Sequence, residues 1–376
     1  MDFSFTEEQT LLRNSVQKFV QDRYDFDSRM KIVKSDKGMS EENWMTMAEL
    51  GLLAAPFAED FGGLGGSSIE TMIVMEEFGR GLVVEPYLPT VVQCGGLLRH
   101  GGTDEQRQSL IPQIIEGSLK MALAYAEPQG RYNLADLTTR AERVGDDFTL
   151  NGAKAVVIGA PWADKLIVSA RTAGDQRDRE GVTLFVVDKG ADGVTTRDYP
   201  TVDGLRASEI NLENVVVNKG AIVGELDQGL PLIERIADES IAALSAEAIG
   251  AMKVLHDATV EYCKTRKQFG QPIGKFQVLQ HRMVDMFMAY EQSVSMTYMV
   301  TMKLDDADAE RRKAASGAKV QIGKAGRFIG QSAIQLHGGM GMTDELSVGH
   351  YFKRLTMIDT AFGNVDHHLR RYSQAA

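Results

Sequence analysis

At ~150 residues per domain, the 376 residues of this chain make about two and a half domains, enough to bury a large core several times over. Its 41 basic side chains against 52 acidic ones leave a formal charge of -11, which argues against nucleic acid or an anionic lipid surface as partner; a polyanionic ligand needs a local basic cluster. Two cysteines, Cys94 and Cys263, supply neither a disulfide framework nor a thiolate zinc site, so a reducing compartment and no metal are expected. No apolar run approaches the ~18 residues of a membrane span, and the start, Met1-Asp2-Phe3-Ser4-Phe5-Thr6-Glu7-Glu8-Gln9, is too acidic for a signal or transit peptide; the expected location is cytoplasmic.

In chain order, Thr6 and Gln9 make a capping box, and Leu11, Leu12, Val16, Phe19 and Val20 then recur on one helix face. A second helix starts at Ser40 and runs towards the Gly-rich loop 59–66, and a third covers Ile69 to Phe78. Near residue 121 the pattern changes: Phe148 to Leu150, Ala155 to Ile158, Lys165 to Ser169 and Thr183 to Val187 are short β-branched runs between Gly, Asp and Asn. From about 227 the helical period returns, with Ile236 to Tyr262 as one long Ala-rich helix and others over 276–303 and 307–337. The expected domains are therefore 1–120 (helical), 121–226 (β) and 227–376 (helical), an α+β fold. With no repeat and no low-complexity linker, the three blocks are expected to pack as one compact unit.

The most informative stretch is Arg266 to His281, RKQFGQPIGKFQVLQH. Arg266, at a helix end just before Gly270, offers a planar cation suited to a pyrophosphate, and the Gln side chains suit an adenine or ribose edge. Gly338-Gly339 removes two β-carbons and lets backbone amides approach phosphate oxygens. The same residues also read as a solvated helix end and a tight turn. Taken with Gln335-Leu336-His337-Gly338-Gly339-Met340-Gly341-Met342 and Ala124-Tyr125-Ala126-Glu127-Pro128, the stretch resembles the acyl-CoA dehydrogenase family, over essentially the whole chain. The resemblance implies a four-helix N-terminal domain, a β-barrel-like middle domain, a C-terminal four-helix bundle that mediates dimer and tetramer contacts, and FAD as cofactor. It also implies that Arg266, Phe269, Gln277, Gln335, Gly338 and Gly339 hold the adenine dinucleotide portion of an FAD whose ring sits largely in a neighbouring subunit.

The family's chemistry needs a carboxylate to take the α-proton of an acyl thioester while the β-hydrogen leaves as hydride to the flavin. The usual base is a Glu immediately before a Gly near the C-terminus, where this chain has Phe362. Some relatives carry it at the start of the long helix instead, where counting back from Phe269 gives Ser240. Neither can take the proton. The flavin-facing motifs differ as well: Ala126 replaces a hydroxyl residue, Gln129-Gly130-Arg131 a Gly-Ser-Asp-like turn, and Val156 and Ile158 a Trp and a hydroxyl. The losses concern the ring and the proton, while the dinucleotide motifs survive. The chain is thus similar to the small, base-lacking subunits of heteromeric acyl-CoA dehydrogenases of the steroid side-chain and pimeloyl-CoA type. That implies a related partner chain carrying the catalytic Glu in an α2β2 assembly, an acyl-CoA substrate and electron-transfer flavoprotein as acceptor. Two alternatives stay open, a homotetrameric dehydrogenase with a displaced base and a flavin-free acyl-CoA-binding or structural protein.

Three carboxylates are candidates for a displaced base. Glu247, seven residues after Ser240 and roughly 10.5 Å along the helix, is flanked by Ala and Leu, so it reads as a half-buried base or as a Glu paired with an Arg of a packed helix. Asp359 and Asp366 flank Phe362 and would need a local shift. Asp366-His367-His368 lacks a third ligand and reads as a solvated or FAD-adjacent surface. The Met residues between 283 and 302 read first as adaptable core filler and second as the lining of a wide acyl pocket.

Overall fold

The computed structural model describes residues 4–374. Among them, six α-helices precede the first strand: α1 (Glu7–Arg23), α2 (Phe26–Lys34), α3 (Glu41–Glu49), α4 (Ser68–Gly81), α5 (Gly95–Gly101), which a π-helical turn (Leu88–Cys94) leads into, and α6 (Asp104–Ile115). The expected capping box at Thr6 and Gln9 is formed, and Thr103 with Gln106 makes a second one at α6. Ser40 caps α3, which stops at Glu49; only a short 3-10 turn, Glu59–Phe61, interrupts the Gly-rich loop.

Eight strands form one sheet: β1 (Met121–Ala124), β2 (Arg140–Val144), β3 (Asp147–Ile158), β4 (Lys165–Arg171), β5 (Val182–Asp188), β6 (Val194–Pro200), β7 (Arg206–Asn218) and β8 (Ile222–Val223). Their order is β6-β7-β3-β2-β4-β5-β8, with β1 parallel to β4. Side chains from six of these strands, among them Ala122, Ala141, Leu150, Val168, Phe185 and Ile210, share one apolar core, so the sheet curls round its own interior. The two sequence runs 148–150 and 155–158 are one strand, β3; its register slips between Leu150 and Gly152, where Asn151-Gly152 made the runs look separate, and again between Lys154 and Val157.

The long helix α7 spans Gly229–Thr265, seven residues earlier than the sequence indicated, since Gly229 and Pro231 are tolerated in a first turn. A two-stranded hairpin follows, β9 (Lys267–Gln268) and β10 (Gln271–Pro272), and then α8 (Gln277–Met302), α9 (Asp308–His337), α10 (Ser347–Thr360) and α11 (Val365–Gln374). No described helix is long and apolar enough to cross a membrane.

The chain gathers into two compact units, not into the single unit expected from its α-β-α blocks. One holds the residues up to Lys31, Ser68–Val83 and those from Ile241 on; the other holds Ile32–Ser67 and Val84–Ser240. The reason for the regrouping lies at the crossing of α4 and α7 within the first unit. A Cβ on Gly79 would stand 1.9 Å from the Glu247 carbonyl oxygen, and one on Gly250 would stand 1.9 Å from that of Glu76. The backbones touch, so only glycine fits at either place.

Candidate functional site

The end of α7 and the end of α9 meet. The Tyr262 ring stacks on His337 with centroids 4.3 Å apart, and the Tyr262 hydroxyl donates to the His337 carbonyl at 3.4 Å. Arg266 lies one turn beyond Tyr262, and Gly338 directly follows His337, so tertiary packing brings these two motifs to one end of the bundle. The intervening hairpin turns on Phe269 (φ 51) and Gly270 (φ 80), the pair of positive φ angles that a two-residue type I′ turn requires. Phe269 is 92% exposed and meets Phe276 edge-on at 6.1 Å. Phe276 leads into α8, whose first residue is Gln277 and whose N-terminus has no side-chain cap.

All six candidate dinucleotide residues are solvent-exposed. No described residue pairs with the Arg266 guanidinium or with the side-chain amide of Gln277. Gly338 has φ 61, and no atom lies within 4 Å of a Cβ built on Gly338 or Gly339. Open glycine backbone, an unpaired guanidinium and an uncapped helix N-terminus fit a phosphate-bearing ligand.

The two positions at which a base was expected, Ser240 and Phe362, carry no carboxylate. Ser240 is fully buried in α7 and its hydroxyl has no hydrogen-bond partner among the described residues. Its sequence neighbour Glu239, which sequence reading passed over, accepts from Arg99 at 3.0 Å and Arg235 at 3.0 Å and lies 2.7 Å from His100 Nε2. Burial pushes this carboxyl up, yet His100 and the two arginines outweigh it and hold it below the usual range. A carboxylate so fully paired is a poor base.

Phe362 sits at φ 55 and packs against an apolar cluster formed by α7, α8 and α9. A non-glycine residue in this conformation costs about 1–3 kcal/mol, so its surroundings must hold it there. The Lys319 ammonium, buried, donates to the carbonyls of Ile358 (2.6 Å), Asp359 (2.8 Å) and Gly363 (2.8 Å). Burial pushes its pKa down to about 7, with Asp359 pulling the other way. His368, expected on a solvated or FAD-adjacent surface, is fully buried: its ring nitrogens lie 3.0 Å from the Phe362 carbonyl and 3.3 Å from Ser316 Oγ. Nε2–H therefore donates to Phe362, and burial together with Lys319 pushes the ring down to about 3, keeping it neutral. The sequence could not place it because its partners lie on α9 and on the preceding turn.

Of the three displaced-base candidates, Glu247 is buried and paired with Arg354 of α10 through two bonds of 2.5 and 2.7 Å. Asp359 is buried and bonds Arg327 at 3.0 Å, with its Oδ1 unpartnered and facing the backbone of Gly323. Asp366 is exposed in the first turn of α11. The structure does not bring the three together, and the described residues contain no cluster of three metal-ligating side chains.

On the sheet, Lys154 and Glu127 form a fully buried ion pair at 2.7 Å, with Thr138 and Thr139 donating to the same carboxylate. Burial pushes Glu127 up, but Lys154 and Thr138 dominate and hold it at about 2. Two residues on, the bulge places Val156 at φ 52 and half-exposed. Its amide lies 3.4 Å from the Glu209 carboxylate, which also accepts from Tyr199 at 2.7 Å. A β-branched residue is poorly suited to this conformation, whereas glycine adopts it freely. Val156→Gly is expected to raise stability by about 1 kcal/mol despite glycine's freer unfolded chain. Denaturant midpoints at unchanged slope will measure this, and a lower midpoint would mean that the Val side chain is needed there.

The fold and these motifs define a flavin-dependent dehydrogenase scaffold. Three domain models match in order: acyl-CoA dehydrogenase N-terminal domain over residues 6–118, middle domain over 122–215 and C-terminal domain over 227–376. The chain belongs to the acyl-CoA dehydrogenase family, oxidoreductases that dehydrogenate acyl-CoA thioesters with FAD. It is 30% identical to the mitochondrial 2-methylacyl-CoA dehydrogenase of Solanum tuberosum, over 94% of this chain and 87% of that one. Among solved structures, it resembles the Tcur3481-Tcur3483 steroid ACAD (27% identity, TM-score 0.88, 98% of this chain and 97% of that chain). It also resembles the FAD complex of PigA (26% identity, TM-score 0.92, 100% and 98%). The cofactor is FAD.

Proposed function

We propose that this chain is one subunit of a heteromeric acyl-CoA dehydrogenase, and that it completes the FAD site of a related partner carrying the catalytic Glu in an α2β2 assembly. The carrying observation is the split between its two halves of chemistry. Phe362 and Ser240 stand where a base is needed, while Arg266, Phe269, Gln277, Gln335, Gly338 and Gly339 remain exposed at one end of the C-terminal helices. Likeness to a steroid ACAD named for two chains supports the reading. When bound, FAD supplies the two-electron acceptor. Arg266 would neutralise the pyrophosphate, Gly338 and Gly339 would admit it to the backbone, and Phe269 would cover the adenine or ribose. An acyl-CoA is the substrate, electron-transfer flavoprotein the acceptor and the cytoplasm the location in this proposal. Self-association runs through the third of the three proposed domains, 227–376.

Flavin content tests it. The chain purified alone is expected to be colourless, and the chain co-expressed with a base-bearing relative yellow. Arg266→Ala should lower FAD affinity of the complex at least tenfold, because each charge-assisted bond to the pyrophosphate contributes about 1.5–3 kcal/mol. Arg266→Lys should recover part of the loss, since it keeps the charge but not the fork. Stoichiometric FAD in the pure chain would overturn the heteromer, and undiminished FAD in the Ala variant would overturn the placement of the dinucleotide.

A further inference from the structure

One half of the candidate dinucleotide site stands where a helix repels phosphate. Gly338 and Gly339 follow His337, the last residue of α9, and a helix C-terminus presents carbonyls and the negative end of the helix dipole. A carbonyl oxygen has two lone pairs, and one of those on His337 is met from another helix by the Tyr262 hydroxyl, at 3.4 Å. The rings of the two residues set this contact, stacked with centroids 4.3 Å apart and planes 29° apart. His337 is buried, and since a carbonyl can only accept, its Nδ1–H donates to the Ala333 carbonyl at 2.8 Å. Burial pushes the pKa of this ring down, so Tyr262 lies on a neutral, fixed partner.

Tyr262 also carries the other half of the site. The Arg266 amide donates to the Tyr262 carbonyl at 2.8 Å, and the Arg266 carbonyl accepts from the Ile273 amide at 2.8 Å, which closes the hairpin. Gly274 then passes so near the end of α7 that a Cβ there would stand 2.9 Å from the Cys263 carbonyl oxygen. One residue thus holds the glycine turn with its side chain and the guanidinium-bearing turn with its backbone.

We infer that Tyr262 is a positioning residue of the dinucleotide site: its hydroxyl offsets the carbonyl end of α9 beside Gly338 and Gly339, and its stack on His337 fixes the reach of Arg266 from those glycines. This rests on the placement of FAD proposed above and goes beyond it, because Tyr262 acts through Arg266 and the glycine turn without itself touching the cofactor.

The test uses whichever form of the unaltered protein retains FAD, the complex with a base-bearing relative or the chain alone. FAD affinity is measured by fluorescence titration, next to the melting temperature. Tyr262→Phe keeps the stack and uncovers the His337 carbonyl; it is expected to weaken FAD about threefold while the melting temperature moves by under about 2 °C. Tyr262→Leu removes both contacts and is expected to weaken FAD at least about tenfold. In an Arg266→Ala background the same Leu substitution is expected to cost under about threefold, since a residue that places a guanidinium loses most of its effect when the guanidinium is gone. Undiminished affinity in a folded Tyr262→Leu, whatever its melting temperature, would overturn the positioning role, as would an equal loss with and without Arg266. If Tyr262→Leu does not fold, Tyr262→Phe decides alone, unchanged affinity overturning the role. The form that holds FAD before any substitution is read separately: FAD in the pure chain would sink the heteromer while the same variants still decide the role of Tyr262, and FAD in neither form would overturn the dinucleotide placement and this role with it.

Discussion

Arg354→Met is expected to destabilise the chain by about 3–5 kcal/mol, among the largest effects that a single side chain can have here. Glu247 and Arg354 are both buried, and their two bonds of 2.5 and 2.7 Å join α7 to α10. Methionine keeps the volume of the arginine stem but leaves a carboxylate without its cation where water cannot replace it. The double variant Glu247→Leu/Arg354→Met should recover most of the loss, because removing both charges removes the desolvation cost of each. Urea unfolding of the four proteins in the cycle will measure both effects. If the single variant costs under 1 kcal/mol, the pair is accessible enough for Glu247 to return as a candidate base.

The second large effect is on turnover. With a dye acceptor, the pure chain should dehydrogenate acyl-CoA at least about 10²–10⁴-fold more slowly than a complex with a base-bearing relative, the usual contribution of a positioned general base. Phe362 and the unpartnered Ser240 hydroxyl cannot accept the α-proton at neutral pH, and Glu239 is occupied by Arg99, His100 and Arg235. Robust activity of the pure chain would show that a displaced base exists. Glu247→Gln, Asp359→Asn and Asp366→Asn would then identify it, the true base losing turnover with flavin still bound.

Much of the architecture was legible because it is written in local pattern. The helices over 277–302 and 308–337 fall within a residue or two of the sequence-based bounds, since their apolar periodicity is long and uninterrupted. The capping box at Thr6 is a purely local pair of bonds, and it is present as read. β3 was split in two because Asn151-Gly152, where the register slips between Leu150 and Gly152, looks like a strand end to any period-2 test. His368 was misplaced for a different reason: next to Asp366 and His367 it reads as polar surface, and only α9 and the Phe362 turn supply the partners that let it be buried neutral.

The amino-acid sequence by itself determined that Phe stands at 362 and Ser at 240, because side-chain identity needs no coordinates. It also determined the α-β-α order and the motifs around Arg266 and Gly338. Tertiary structure alone decided which carboxylates are spent in pairing. Glu247 and Arg354 lie 107 residues apart and Glu239 and Arg99 140 apart, and partners so distant can be recognised only once the helices have packed. It likewise decided that the start, middle and end of the chain gather into two units, because backbone contact at Gly79 and Gly250 depends on how two helices cross, which no local periodicity encodes.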